Sequence, residues 1–139
     1  MRKDDCIFCK LANGDIPTNT IYEDELFRVI MDASPATRGH ALVLPKDHYA
    51  DIYEMDSEVL GKAIQVGQKV IKHATKVLGC DGYNLLQNNG EAAGQTVFHF
   101  HLHLIPRYAD NNDPRILSWP AGKVSTDDIQ TLTESLKVN

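Results

Sequence analysis

Long hydrophobic runs, clusters of basic residues and a disulfide framework are all missing from this 139-residue chain. No apolar run approaches the ~18 residues that span a bilayer, which excludes a transmembrane helix and a membrane partner. The N-terminal stretch MRKDDCIFCK has no apolar core of the secretory kind, so the expected location is the cytoplasm. No Lys or Arg run is longer than the pair Arg2-Lys3, and the formal net charge is −5. A clamp on nucleic acid is therefore not expected, whereas one locally positive site for a small phosphorylated ligand is compatible with the balance. Three cysteines are too few, and odd in number, for a disulfide scaffold; they leave the pair Cys6-x-x-Cys9 to be explained, with Cys80 a small apolar filler.

What is there reads as one compact domain, residues 1–139, since 42% of the chain is hydrophobic and 24% charged. Residues 5–12 form a short helix, capped by Asp4 or Asp5 and closed by Asn13-Gly14. The runs 26–32 and 40–45, separated by a turn containing Pro35 and Gly39, form an antiparallel pair, with a short strand at 20–24 before them. The spacing of Leu60, Ala63, Ile64, Gly67, Val70, Ile71, Ala74 and Leu78 predicts a long helix over 57–78, begun by Asp56 or Ser57 and ended by Gly79. Strands follow at 83–89 and 95–105, then a loop, then a short helix over 127–136 capped by Ser125 or Thr126. The order gives an α+β class: a mainly antiparallel sheet, one long helix and short terminal helices. His73 falls on the polar side of the long helix, and Trp119 reads as a packing anchor.

The segment VFHFHLHLIP, 97–106, holds three of the six histidines. On a strand, alternation sends Phe98, Phe100, Leu102 and Leu104 to the core and His99, His101 and His103 to the other face. Two chemistries fit such a row. An H-x-H pair binds a catalytic zinc if a third ligand and an open position are supplied. Alternatively, imidazoles with an ordinary pKa of ~6.5 serve as nucleophile and acid–base groups around a phosphate. Both lead to hydrolysis or group transfer.

The run from His99 to Ile105 resembles the H-φ-H-φ-H-φ-φ signature of the histidine triad superfamily, and NNGEAAGQ, DASPATRGHALVLPKDH and DCIFCKLANGDIP match its usual surroundings. The resemblance spans about residues 4–108, looks closest to bacterial Hint-type proteins, and leaves 109–139 as a variable tail. It implies a five-stranded fold of the family's kind and a homodimer through the long helix and a shared sheet. It also implies that His101 attacks the α-phosphorus of a purine nucleotide to give a covalent nucleotidyl-histidine that water cleaves. His103 would then bind phosphoryl oxygen and His40 would support the triad from a neighbouring strand. Asn88, Gln95 and Thr96 would form the phosphate loop and leaving-group contacts, Asp32 would accept the ribose hydroxyls, and Ile7, Phe8 and Ile30 would pack against the base.

For Cys6 and Cys9 the resemblance implies a structural zinc completed by His48 and His99. Two thiolates and two imidazoles make a closed tetrahedral set without a place for water. The leading expectation is a nucleoside phosphoramidase or dinucleoside polyphosphate hydrolase. The alternatives are a purine-nucleotide-binding regulatory module with little turnover, or a metal-dependent hydrolase using the histidine row.

Overall fold

The computed structural model describes residues 1–109 and 120–138. Helix α1 spans Ile7–Ala12, and strands β1 (Thr20–Glu23), β2 (Phe27–Met31) and β3 (Ala41–Pro45) follow. Next come helix α2 (Ser57–Leu78), strand β4 (Gly82–Leu86), a 3-10 turn at Glu91–Ala93, strand β5 (Leu102–Arg107) and helix α3 (Thr126–Leu136). The five strands form one antiparallel sheet in the order β1-β2-β3-β5-β4. Among the described residues no helix is long and apolar enough to cross a membrane. Trp119 lies outside the described residues.

The sheet is covered on both faces, and β3 shows it. Val43 packs with Phe27, Val29, Phe100, Leu102, Leu104 and the α2 residues Ala63 and Val66. Its neighbours Leu42 and Leu44 point the other way, to Ile30, Ala12 and the partly buried Phe8 and Leu11 of α1. All five β3 residues are buried, which explains why this strand reads as an unbroken apolar run rather than an alternation. Each large side chain so buried contributes about 1.5–3 kcal/mol.

Two local expectations change. The cap of α1 is Cys6, whose sulfur accepts from Cys9 N–H, rather than Asp4 or Asp5. Along α2, Ile64 is 50% exposed while Val66, off the anticipated stripe, is buried. The helix bounds hold, with Asp56 accepting from Glu58 and Val59 N–H and Gly79 left-handed at φ 65°.

The largest correction concerns 95–105. Pairing with β3 begins only at Leu102, opposite Val43, and Phe98 is 51% exposed instead of in the core. The cause is a set of rival backbone partners. Buried Gln95 accepts from Gly90 N–H at 2.8 Å and donates to the carbonyls of Ala50 and Val97 at 2.6 and 3.1 Å. Phe100 N–H goes to Tyr49 O at 2.6 Å, and the Pro45 carbonyl is taken by the His99 ring. Residues 95–101 thus cross the sheet end as irregular chain, and the ladder starts after them.

Candidate active site and metal centre

The half of α1 that faces the sheet divides its side chains between two clusters. Cys9 is fully buried beside Cys6, His48 and His99; the ligating atoms of these four lie within 4.8 Å of one another. His99 Nδ1 is 3.5 Å from Cys6 Sγ and 3.4 Å from Cys9 Sγ, and His48 Nδ1 is 3.4 Å from Cys9 Sγ. Tetrahedral zinc, with Zn–S ~2.3 Å and Zn–N ~2.1 Å, sets N···S edges of about 3.6 Å. The donor set therefore fits such an ion.

The tautomer of His99 fits as well. Its Nε2 lies 2.8 Å from the Pro45 carbonyl, which only accepts, so the proton sits on Nε2 and Nδ1 offers a lone pair to the cluster. Burial pushes the His99 pKa down to about 4, so the ring is neutral, as a ligand must be. Asn13, just past α1, donates to the Cys9 and Lys46 carbonyls at 2.9 Å each. This tie holds the helix end, and with it the cysteines, against the end of β3.

The second cluster opens into a cavity of about 370 Å³. Phe8, the α1 residue before Cys9, meets His101 edge-on with ring centres 4.9 Å apart. Asp32, His40, Asn88, Thr96, His101 and His103 all line the cavity, with Leu42, Leu86, Gly94, Val97 and Ile105. Leu42 and Leu86 flank His103 because β5 lies between β3 and β4, and both pair with it. That register was the available signal for the two leucines, which the sequence reading missed. Asn88 faces bare backbone: a Cβ added at Gly94 would stand 3.6 Å from the Asn88 amide nitrogen.

Not every anticipated residue converges there. Ile7 is 48% exposed and Ile30 sits in the core beneath α1; neither lines the cavity. Gln95 is buried with its amide committed to backbone groups, so it shapes the loop, while Asn88 and Thr96 line the cavity.

The protons of this cluster follow from its bonds. Ala36 N–H donates to His40 Nδ1 at 2.9 Å, so the His40 proton is on Nε2. That Nε2 lies 2.9 Å from His103 Nδ1 and 3.5 Å from Asp32 Oδ2. His103 therefore receives at Nδ1 and carries its own proton on Nε2 as a donor. His101 is fixed the other way: Nδ1–H donates to the His99 carbonyl at 2.8 Å, leaving the Nε2 lone pair free. Burial holds the pKa of all three below the ordinary value, His103 to about 4, so one N–H donor and one ring nitrogen with a free lone pair stand side by side, ring centres 5.0 Å apart.

Among the described residues the three triad histidines do not share one cluster of metal-ligating atoms. His99 belongs with the cysteines, His103 with Asp32 and His40, and His101 with neither group. Binding a metal through His40 Nε2 would also displace the proton that the Ala36 bond keeps there.

The HIT domain model matches residues 13–110, and the chain belongs to the HIT family. It is 38% identical to the adenosine 5′-monophosphoramidase of Schizosaccharomyces pombe, over 94% of this chain and 95% of that one. The crystal structure of a HIT family protein from Bacillus anthracis superposes with a TM-score of 0.85 at 41% identity, covering 96% of this chain and 95% of that one. A Zn-bound histidine triad family protein from Mycobacterium smegmatis superposes with a TM-score of 0.75 at 36% identity, covering 96% and 98%. The α+β fold with its five-stranded antiparallel sheet is thus the family's fold.

Proposed function

We propose that the chain is a nucleotide hydrolase or nucleotidyl transferase. It acts at the α-phosphate of purine nucleoside phosphoramidates or dinucleoside polyphosphates through a covalent nucleotidyl-His101 intermediate. The observation that carries this is the His101 Nδ1–H bond to the His99 carbonyl, which leaves Nε2 as a lone pair in the cavity. The likeness to an adenosine 5′-monophosphoramidase supports the substrate class.

In the proposed reaction His101 Nε2 attacks phosphorus and the bond to the leaving group breaks as that group takes a proton from solvent water, with Thr96 at the leaving-group side; the water that attacks in the second step returns a proton to solvent. His103 Nε2–H donates to a phosphoryl oxygen, where negative charge grows; one such preorganised donor is worth ~10²–10³ in rate. Asn88 provides a further amide donor, Asp32 accepts the ribose hydroxyls, and the base packs on Phe8. Because Nδ1 keeps its proton, the adduct is an N-phosphorylated imidazolium. When water attacks phosphorus, His101 leaves as neutral imidazole, a good leaving group.

Cys6, Cys9, His48 and His99 would hold a structural zinc, which when bound would fasten α1 to the sheet. A homodimer through α2 belongs to the same reading, and size-exclusion mass tests it. Single-turnover trapping with adenosine 5′-phosphoramidate tests the chemistry: the adenylyl group is expected on His101. Undiminished AMP release by His101→Ala would overturn the mechanism.

A further inference from the structure

Asn88 brings a side-chain amide to the cavity, and the hydrogen bonds around it show how its place is held. Strand β4 ends at Leu86, and its alternation carries on past that end. Leu86 and Asn88 line the cavity, whereas Gln87 and Asn89 do not. Gln87 and Asn89 instead meet each other. Gln87 Nε2–H donates to Asn89 Oδ1 at 2.9 Å and to the Asn88 carbonyl at 3.1 Å, and Asn89 Nδ2–H donates back to Gln87 Oε1.

The pair is oriented from outside. Ile52 N–H, which only donates, lies 2.7 Å from Asn89 Oδ1 and so fixes which end of the amide faces it. An Asn before a glycine is commonplace in turns, where its side chain bonds nearby backbone. This one is held by a side chain and by a backbone group 37 residues away.

The stretch that supplies this bond also holds the other cavity-lining segments. The Ala50 carbonyl accepts from Gln95, next to Thr96, and the Tyr49 carbonyl accepts from Phe100 N–H, next to His101. Asp51 Oδ1 accepts from Tyr53 and Glu54 N–H at 3.0 and 3.1 Å, which fastens the turn ahead of α2. Residues 49–52 therefore grip a sequence neighbour of each of Asn88, Thr96 and His101.

We propose that Asn89 is a positioning residue for Asn88. Locked between Gln87 and Ile52 N–H, it fixes the Asn88 backbone so that the Asn88 amide stands where a phosphoryl oxygen arrives. Asn89 acts only through its neighbour, and its role rests on the reading of Asn88 as an amide donor to phosphate. A donor already in place needs no reorganisation when charge grows, and a displacement of about 1 Å costs up to ~10²-fold.

A double-mutant cycle on the full chain tests this, read as the single-turnover rate of nucleotidyl-His101 formation from adenosine 5′-phosphoramidate at saturation. Asn88→Ala is expected to slow the step ~10²-fold or more. Asn89→Ala should slow it about tenfold or more, with adenosine affinity and circular dichroism unchanged. In the Asn88→Ala background Asn89→Ala should cost nothing further, because the group it places is gone. Gln87→Ala removes the other half of the amide pair and should repeat the pattern, so it carries the test if Asn89→Ala does not fold. Wild-type rates in Asn89→Ala and Gln87→Ala, losses that add to that of Asn88→Ala, or an equal loss of adenosine affinity overturn the positioning role alone. An Asn88→Ala protein that reacts at the wild-type rate overturns the reading of Asn88 and the proposal together.

Discussion

His99 and His101 stand two residues apart on one irregular segment, yet their clusters are built on opposite plans. Around His99, two sulfurs and two ring nitrogens turn inward on one point, while the far side of the ring is tied to the Pro45 carbonyl. Beside His101, the groups of Asp32, His40 and His103 meet as a hydrogen-bonded series, and His101 itself stands outside that group. The nitrogens form a directed series from Ala36 through His40 to His103 and leave one donor and one lone pair facing a cavity. Which ring nitrogen the neighbouring backbone engages decides which one keeps its lone pair, and the proposed roles of His99 as ligand and His101 as nucleophile rest on that difference.

The sharpest way to break this comparison is to remove the reagent. His101→Ala should lower the single-turnover rate of AMP release by on the order of 10⁴-fold or more, with an unchanged fold by circular dichroism and full metal content by elemental analysis. The reverse experiment is Cys6→Ala/Cys9→Ala. Zinc content should fall near zero, and the protein should lose about 4 kcal/mol of stability, taking ambient metal at a thousandfold over Kd. Turnover per folded molecule should remain within about tenfold. Loss of all turnover in a folded, zinc-free variant would merge the two clusters into one catalytic metal site.

A smaller effect is expected from His103→Ala, which removes a donor but no nucleophile. The rate should fall ~10²–10³-fold, with the nucleotidyl-His101 intermediate still trapped by acid quench. The smallest effect is on pH dependence. Burial holds folded His103 near 4, below the ~6.5 of the unfolded chain. The unfolded state therefore binds more protons between those values, and the stability contribution present above pH ~6.5 is lost as pH falls toward 4. Urea midpoints across that window should decline less steeply in His103→Leu than in wild type.

Much of the scaffold is legible because it is periodic. The 3.6-residue recurrence and the Asp56 and Gly79 signals delimit α2 to the residue. The run at 40–45 predicts a strand, observed over Ala41–Pro45, and its burial on both faces follows once α1 is seen to cover one of them. Alternation misleads at 95–101, where a period of two is present but the hydrogen bonds of a ladder are not. Nothing in the letters reveals that the Gln95 amide and the 49–50 carbonyls are competing partners, since they act across more than forty residues.

The candidate site divides in the same way. Residue types at fixed spacing bring Asp32, His40, Asn88, Thr96, His101 and His103 together around one cavity, as the resemblance implies. Ile7 and Ile30 do not line it, because apolar character alone does not say whether a side chain meets a cavity or the core.

His99 touches its own cluster through a ring and its neighbour through a carbonyl. The ring is specified by the codon, whereas the carbonyl is common to every amino acid. A substitution at position 99 can therefore erase an anchor while leaving intact the group that orients the proton of His101. On the proposed roles, heredity of the chemistry is in this way separable from heredity of the metal, and a lineage can drift at the first histidine without rewriting the second.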